Sequence, residues 1–260
     1  MIEPGYETIV VDREGGAVRV MLNRPEKKNA INSAMWEDLR RILSEVARRR
    51  EDRVVVLSGA GGAFCSGADL SGTASAEHPV FTMDYIHEIA LALHHFPKPV
   101  IACVDGDAVG AGCNLALGCD MVLASSRSRF AEIFVRRGLS LDFGGSWILP
   151  QLIGLHRAKL LCLTGDLISA TEAADLGLVN AVYEPDVLPT AVDDLVARVL
   201  AGPPVAQALI KRLLNAGSTS TMAQALDAES AAQAINIRSA DAIEAREAFI
   251  AKRDANFTGR

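Results

Sequence analysis

Apolar and polar positions follow two distinct periods along the first part of the chain. Residues 6–25 alternate in the manner of a β-hairpin, with a turn predicted at the Arg-Glu-Gly-Gly of 13–16. Residues 29–50 carry apolar side chains three and four positions apart, which predicts an amphipathic helix. A short apolar run at 53–59 predicts a buried strand. The chain is therefore expected to open with a hairpin, a helix and a third strand.

The alternation of strand and helix continues to about residue 126. The pattern predicts a helix at 80–95, a strand at 98–106 and another strand at 121–126. Between these two strands a glycine-rich turn leads into the apolar segment 114–120. Strands that alternate with helices form parallel βαβ units. We therefore predict an α/β fold in which helices cover the faces of a parallel sheet.

The strand signal nearly disappears beyond residue 145, apart from the segment 177–183. The remaining sequence is rich in alanine and has helical spacing. We expect it to form a helical region that packs on the sheet or on neighbouring subunits. Its predicted helices span 156–163, 171–176, 187–201, 204–216 and 221–253.

The composition is that of a soluble globular protein, with 50% hydrophobic and 22% charged residues among 260. This length fits one large α/β domain, alone or with a small appendage. The net charge of −6 offers no electrostatic surface for nucleic acid. No apolar run reaches the about 18 residues of a membrane span, and the acidic N-terminus lacks an apolar signal core. We expect a cytoplasmic protein without nucleic-acid or membrane partners.

The cysteines and histidines form no metal-binding pattern. The cysteines are odd in number, lack a CxxC pair and lie in apolar or glycine-rich contexts, which indicates buried free thiols. The histidines fit no ligand spacing either, so we expect no metal. The cysteines are Cys65, Cys103, Cys113, Cys119 and Cys162, and the histidines are His78, His87, His94, His95 and His156.

Two glycine-rich loops, 58–70 and 105–120, each follow a predicted strand. Neither is a dinucleotide-binding GxGxxG, because Phe64 and Leu115 occupy the third glycine position, and neither contains the GK[ST] of a P-loop. Nicotinamide cofactors and nucleotide hydrolysis are therefore not expected. Small residues do let a ligand oxygen approach backbone N–H groups, and two such groups can form an oxyanion hole. The same glycines also fit two ordinary tight turns, so both interpretations stay open at this point.

The segment 138–154 contains one charged residue, Asp142, between Leu141 and Phe143. Aspartate is a favoured N-cap residue, so Asp142 fits the start of a helix near Gly145. A carboxylate in apolar surroundings also has a raised pKa, which suits proton transfer near neutral pH. The segment alone leaves both roles open.

Five blocks of sequence, in order, resemble the enoyl-CoA hydratase/isomerase or crotonase superfamily over about residues 10–254. The resemblance implies a spiral of ββα units with a C-terminal helical region, assembled as a trimer or hexamer. We accordingly expect a core at 1–200 and a helical trimerisation region at 201–260. The blocks are MLNRPEKKNAI, GAFCSGADL, KPVIACVDGDAVGAGCNLALGCD, LTGDLISATEAADLGLVNAV and KRDANFTGR.

The resemblance also implies an acyl-CoA substrate, with coenzyme A arriving as part of the substrate and no separate cofactor. Members of the family stabilise a thioester enolate with two backbone N–H groups, which here match Ala68 and Ala111. The C-terminal region contacts the CoA adenine across a subunit boundary, which matches Phe249 and Lys252. The expected CoA-binding residues are thus Ala68, Asp69, Leu70, Ser71, Ala111, Phe249 and Lys252.

Both glutamates of a hydratase of this family are missing. The first position is Asn114 and the second is Phe134. Asparagine does not titrate near neutral pH, and phenylalanine neither holds nor transfers a proton. Efficient hydration of crotonyl-CoA is therefore not expected. Asn114 itself fits two roles, orienting substrate or water and capping the helix it opens.

Family members that shift double bonds or open ring epoxides also carry Asn after the glycine-rich loop and an Asp in a GLxxDxGG context. Related dehalogenases place a nucleophilic Asp at the matching position. The resemblance therefore favours an isomerase with Asp142 as the proton shuttle. A weak hydratase, a thioester hydrolase and a non-catalytic acyl-CoA-binding paralogue remain alternatives.

Three further side chains near this segment have two interpretations each. Glu132 is a second candidate base, although a polar residue at a strand end is more often structural. Phe143 and Trp147 fit the walls of an aromatic acyl pocket or ordinary core packing. The sequence does not separate these roles.

Overall fold

The computed structural model describes residues 5–71 and 78–260, and its strands lie in two sheets. The larger sheet has the order β1-β2-β3-β5-β7-β10, and the smaller has the order β4-β6-β8-β9. The strands are β1 Ile9–Glu14, β2 Ala17–Leu22, β3 Val54–Gly59, β4 Ala63–Cys65, β5 Val100–Val104, β6 Asp107–Val109, β7 Met121–Ser125, β8 Arg129–Ala131, β9 Leu167–Ser169 and β10 Ala181–Tyr183.

Strands β1 and β2 form the predicted antiparallel hairpin. Gly15 and Gly16 make its turn with φ values of +57° and +93°, a left-handed conformation that glycine adopts without steric cost. From β2 onward the larger sheet is parallel. The prediction of a parallel sheet fed by βαβ units is therefore confirmed.

Ten helices lie within the described residues. Short 3-10 helices at Pro25–Lys27 and Ile133–Arg137 add to them. The helices are α1 Ser33–Arg48, α2 Pro79–His94, α3 Ala111–Leu117, α4 Gly145–Ile153, α5 Leu155–Thr164, α6 Ala170–Leu176, α7 Leu188–Leu200, α8 Pro204–Gly217, α9 Met222–Asn236 and α10 Ala240–Ala251.

Both faces of the larger sheet are covered, which explains the unbroken valine run of β3. Alternate side chains of a strand point to opposite faces. Val55 and Leu57 lie in the main hydrophobic core with α1, whereas Val54 and Val56 pack in a second cluster with α7. Because both faces of β3 are buried, its sequence does not alternate between apolar and polar residues.

The smaller sheet was not predicted, because its strands have only three residues each. A three-residue strand is too short for a period of two to be recognised. The helical tract predicted at 221–253 is also two helices, since the chain breaks after Asn236. Ser239 then starts α10 by accepting a hydrogen bond from the Ala242 N–H at 3.1 Å. Part of the loop predicted after β3, residues 72–77, lies outside the described residues.

Helices α8 to α10 supply most of the C-terminal region. Among the described residues they expose several large apolar side chains to solvent. The most exposed of these side chains are Leu214, Met222, Ile237, Phe249 and Ile250. The division into a core at 1–200 and a C-terminal region at 201–260 stays a prediction.

None of the helices in residues 5–71 and 78–260 has the length and hydropathy of a membrane span.

Candidate active site

The smaller sheet brings three distant segments together at one edge. Strands β4, β6 and β8 are parallel neighbours, so their carboxyl ends lie side by side. The loop at 66–71 follows β4, the start of α3 follows β6, and Glu132 follows β8 directly. Ligands in open parallel sheets bind beyond the carboxyl ends of the strands. The candidate site residues therefore converge because of the topology of this sheet.

The loop after β4 is held by backbone and side-chain bonds. The Ile31 N–H donates to the Gly67 carbonyl at 2.8 Å, and the Asp69 N–H donates to the Ile31 carbonyl at 2.9 Å. This parallel bridge leaves the Ala68 N–H pointing away from Ile31. Ala68 itself is exposed.

Asp69 anchors the far side of the same loop. Its carboxylate accepts hydrogen bonds from the Ser71 hydroxyl at 2.6 Å, the Ser71 N–H at 3.0 Å and the Arg24 guanidinium at 2.9 Å. These bonds hold the pKa of Asp69 well below its usual range. Leu70, by contrast, is 66% exposed. Asp69 therefore fixes the loop through its hydrogen bonds, whereas the Leu70 side chain is open to solvent.

Helix α3 begins against this loop. A Cβ at Gly67 would lie 2.9 Å from the Val109 carbonyl oxygen and 3.6 Å from the Ala111 nitrogen, so the two glycine-rich segments touch. A Cβ at Gly112 would overlap the Cys65 carbonyl. Ala111 is the first residue of α3, and the first N–H groups of a helix have no partner within it. The structure therefore brings Ala68 and Ala111 into adjacent segments, Ala68 exposed and Ala111 buried at the first turn of α3.

Asn114 lies in the middle of α3 and is fully buried. Its amide nitrogen donates to the backbone carbonyl of Asp142 at 3.0 Å and to Glu132 Oε2 at 3.4 Å. The N-cap residue of α3 is Gly110, so the capping role considered for Asn114 is wrong. The side chain instead ties three separate segments together.

Gly145 makes room for the Asn114 amide. A Cβ there would lie 2.5 Å from both Nδ2 and Oδ1 of Asn114 and 2.8 Å from its Cγ. No side-chain atom fits at these distances without displacing the amide. Sequence reasoning missed this contact, although the Gly-Gly pair at 144–145 was its visible signal.

Asp142 does not cap helix α4. The N-cap position is Gly144, which makes no side-chain capping bond, and the helix starts at Gly145. Asp142 Oδ1 is buried without a hydrogen-bond partner. Burial raises the pKa of Asp142 to about 6, and the nearby His87 opposes that shift. Asp142 is therefore a partly buried carboxylate that is ready to titrate near neutral pH.

Glu132 belongs to the same cluster. It is 2% exposed, and its Oε1 also has no hydrogen-bond partner. Burial raises the pKa of Glu132 to about 7, and the charge of Asp142 adds to that shift. The sequence singled out Glu132 only as a secondary candidate base. The structure joins it to Asp142 through the amide of Asn114.

The aromatic residues of this region divide into two environments. Phe143 is 1% exposed and stacks on Trp36 with the ring centroids 5.2 Å apart, so it belongs to the core and not to a pocket wall. Trp147 is 41% exposed and meets His94 edge to face at 5.0 Å. Phe134, at the position of the second hydratase glutamate, is buried. That position has no carboxylate because its residue is phenylalanine.

The C-terminal candidates lie on α10 and at its end. Phe249 is 84% exposed, and Lys252 ends the helix in a left-handed conformation with φ +52°. Within the described residues, no recorded hydrogen bond or ring contact joins either side chain to Asp142 or Asn114. Their expected contact with CoA therefore remains a prediction.

Comparisons with known proteins identify the family and the fold of this chain. Residues 12–260 match the enoyl-CoA hydratase/isomerase family. The chain is 36% identical to a 1,2-epoxyphenylacetyl-CoA isomerase of Escherichia coli, over 98% of this chain and 99% of that one, and 39% identical, with the same coverage, to a probable enoyl-CoA hydratase of Rhodobacter capsulatus. The crystal structure of an enoyl-CoA hydratase from Bacillus anthracis superposes with a TM-score of 0.94 at 31% identity, covering 98% of this chain and 100% of that one. The predicted crotonase-like fold is confirmed. The chain therefore belongs to the enoyl-CoA hydratase/isomerase family and processes acyl-CoA thioesters.

Proposed function

We propose that the protein is an enoyl-CoA isomerase in which Asp142 shuttles one proton. The observation that carries this proposal is the state of Asp142: its side chain does not cap α4, one carboxylate oxygen is unpaired, and its pKa is raised to about 6. A base with a pKa near the working pH both accepts and returns a proton efficiently. An isomerase needs only one such group, because the proton stays on the substrate.

The reaction of a 3-enoyl-CoA can be written with this one base. The Asp142 carboxylate takes a proton from C2, and the electron pair of the C–H bond moves into the thioester carbonyl to form an enolate. The N–H groups of Ala68 and Ala111 stabilise the oxygen of that enolate. Protonated Asp142 then returns its proton to C4, and the double bond ends between C2 and C3. No water or external oxidant is consumed.

The relatives support the choice of reaction only in outline, since they include both an isomerase and hydratases. Asn114 and Phe134 at the hydratase glutamate positions favour isomerisation over hydration. Coenzyme A then enters as part of the substrate, and Ala68, Asp69, Leu70 and Ser71 line its path. No separate cofactor is required by this chemistry.

A panel of thioesters tests the proposal. The purified protein is incubated with 3-enoyl-, 2-enoyl- and arylacetyl-CoA, and the products are identified by mass spectrometry and NMR. We expect conversion of the 3-enoyl-CoA to its 2-enoyl isomer without a change in mass. A product heavier by one water identifies a hydratase, release of free CoA identifies a hydrolase, and binding without turnover identifies a non-catalytic paralogue. Each of these three results contradicts the proposal.

We also propose that the functional form is a trimer or a dimer of trimers. Large apolar side chains on α9, at its C-terminal end and on α10 are exposed, Met222 at 77%, Ile237 at 70% and Phe249 at 84%. An apolar patch on a single chain indicates an interface. In such an assembly Phe249 and Lys252 would serve the CoA site of a neighbouring subunit. Light scattering that finds a stable monomer at micromolar concentration contradicts this assembly.

A further inference from the structure

The Asn114 amide has three neighbours that restrain it, and only two of them belong to the segment of Asp142. Its two N–H hydrogens go to the Asp142 carbonyl, at 3.0 Å, and to Glu132 Oε2, at 3.4 Å. Gly145 closes a further side by leaving just enough space for the amide. Rotation of the amide therefore has to break the contact with Glu132. Asn114 and Glu132 are both buried, so water cannot take over that contact.

The Glu132 carboxyl has the Asn114 amide and the Cys113 thiol as neighbouring donors. Its Oε1 is buried without a donor, and the residue borders a small, mostly apolar cavity. An ionised oxygen in that position would cost far more free energy than a protonated carboxyl. The cavity's other lining side chains are mostly apolar and include Leu161.

The groups around Glu132 shift its pKa in both directions, and burial is the largest of these effects. Asp142 raises its pKa, and the thiol of Cys113 on α3 lowers it, as does the Asn114 amide. Cys162 on α5 interacts with Glu132 but has its own pKa raised to about 11, so it is neutral at physiological pH. His87 on α2 interacts with Asp142 and favours ionisation of that carboxyl. These surroundings favour ionisation of Asp142 over ionisation of Glu132.

We propose that Glu132 is a positioning residue: its buried carboxyl accepts a hydrogen bond from the Asn114 amide and fixes it, and that amide fixes the backbone of Asp142 beside the substrate. This inference rests on the proposed role of Asp142 as the proton shuttle. Glu132 touches no substrate atom in it and transfers no proton to substrate. It sets the geometry of the base and, through its charge state, the ionisation of the pair.

Two substitutions of Glu132 separate positioning from simple packing. Glu132→Gln is neutral at every pH and retains an oxygen that accepts from Asn114. It should keep kcat for a 3-enoyl-CoA within about threefold at pH 6. Glu132→Met fills similar space without an acceptor. It should lower kcat about 10-fold or more, the scale seen when a residue that orients a functional group is lost, with KM within about twofold and Tm no lower.

The pH profile is the readout that a purely structural role would not change. The logarithm of kcat for the natural enzyme should bend at two pH values, which belong to the coupled pair. Glu132→Gln should leave only the bend at lower pH, which reports Asp142. The matched control is Leu161→Ala, which borders the same cavity but does not touch the amide. It should lower Tm and leave kcat and both bends unchanged.

The remaining outcomes distinguish failure of the positioning role of Glu132 from failure of the proposed function. If Glu132→Met keeps the natural kcat, or Glu132→Gln keeps both bends, Glu132 is not a positioning residue. The Asp142→Asn variant is measured in parallel. If Asp142→Asn is fully active, the proposed function fails and this inference fails with it. If Asp142→Asn is inactive while both Glu132 variants behave as the natural enzyme does, only the inference fails.

Discussion

The space left by Gly145 for Asn114 gives a direct test of how the site is built. In Gly145→Ala the new Cβ would lie 2.5 Å from Nδ2 and Oδ1 of Asn114, roughly 1 Å inside a normal contact. Asn114 is fully buried, so its amide cannot move out into solvent. Either α4 shifts outward or the amide rotates, and rotation breaks its 3.0 Å bond to the Asp142 carbonyl.

The expected magnitude follows from two opposing effects. Overpacking a buried site costs about 1–3 kcal/mol. Replacing glycine by alanine in a helix returns up to about 1 kcal/mol, and less in the first turn. We therefore expect Gly145→Ala to be less stable by about 1–2 kcal/mol in urea unfolding. Because Asp142 is displaced, kcat for a 3-enoyl-CoA should fall by about 10²-fold.

A control and a double variant isolate the contact. Gly217→Ala, at the end of α8, meets nothing within 4 Å; it should leave turnover unchanged and should raise stability by at most about 1 kcal/mol. In an Asn114→Ala background the added methyl group meets no amide, so the stability cost of Gly145→Ala should disappear. Natural stability and turnover in Gly145→Ala, or an equal cost in both backgrounds, would refute the contact.

Three further predictions concern stability, packing and reaction choice. The pKa of Glu132 in the folded protein, about 7, lies above its ordinary value of 4.5, so Glu132 lowers the stability of the natural protein as pH rises between these values. In urea unfolding, the free energy of unfolding of Glu132→Gln should rise relative to that of the natural protein by up to about 3 kcal/mol between pH 4.5 and 8. A difference that stays constant with pH contradicts the raised pKa. Phe143→Ala should cost about 3–5 kcal/mol by the same measurement, because it removes the ring that stacks on Trp36, and a cost below about 1 kcal/mol contradicts that packing. Hydration of crotonyl-CoA, followed by loss of enoyl absorbance, should be slower than in a two-glutamate hydratase by ~10²–10⁴-fold for each missing glutamate, and a turnover number of hundreds per second contradicts it.

The hairpin, the long helices and the parallel order of the larger sheet were predictable, because each carries a clear period. Helix α1 and strand β3 show how this works: one repeats its apolar side chains at helical spacing, and the other is apolar on both faces. The smaller sheet was not predictable. β6 and β8 have three residues each and pair across the intervening α3 and β7, so no local pattern marks them.

The resemblance placed Asp142 and Asn114 in the site, but the contacts between them came from the structure. Asn114 reaches the Asp142 carbonyl across 28 residues of sequence and Glu132 across 18. Such pairings depend on how parallel strand ends converge, which no single segment encodes. One signal for Glu132 was present, since it is a lone carboxylate between Ala131 and Ile133, just as Asp142 is between Leu141 and Phe143.

Asp142→Asn tests the central claim most directly. Asparagine keeps the size of the side chain but cannot accept a proton, and Gly144 caps α4 in either case. Affinity for acyl-CoA, measured by calorimetry, should be nearly unchanged, whereas turnover of a 3-enoyl-CoA should fall by ~10²-fold or more. A variant that binds substrate and isomerises it at the natural rate would show that the Asp142 carboxylate does not carry the proton.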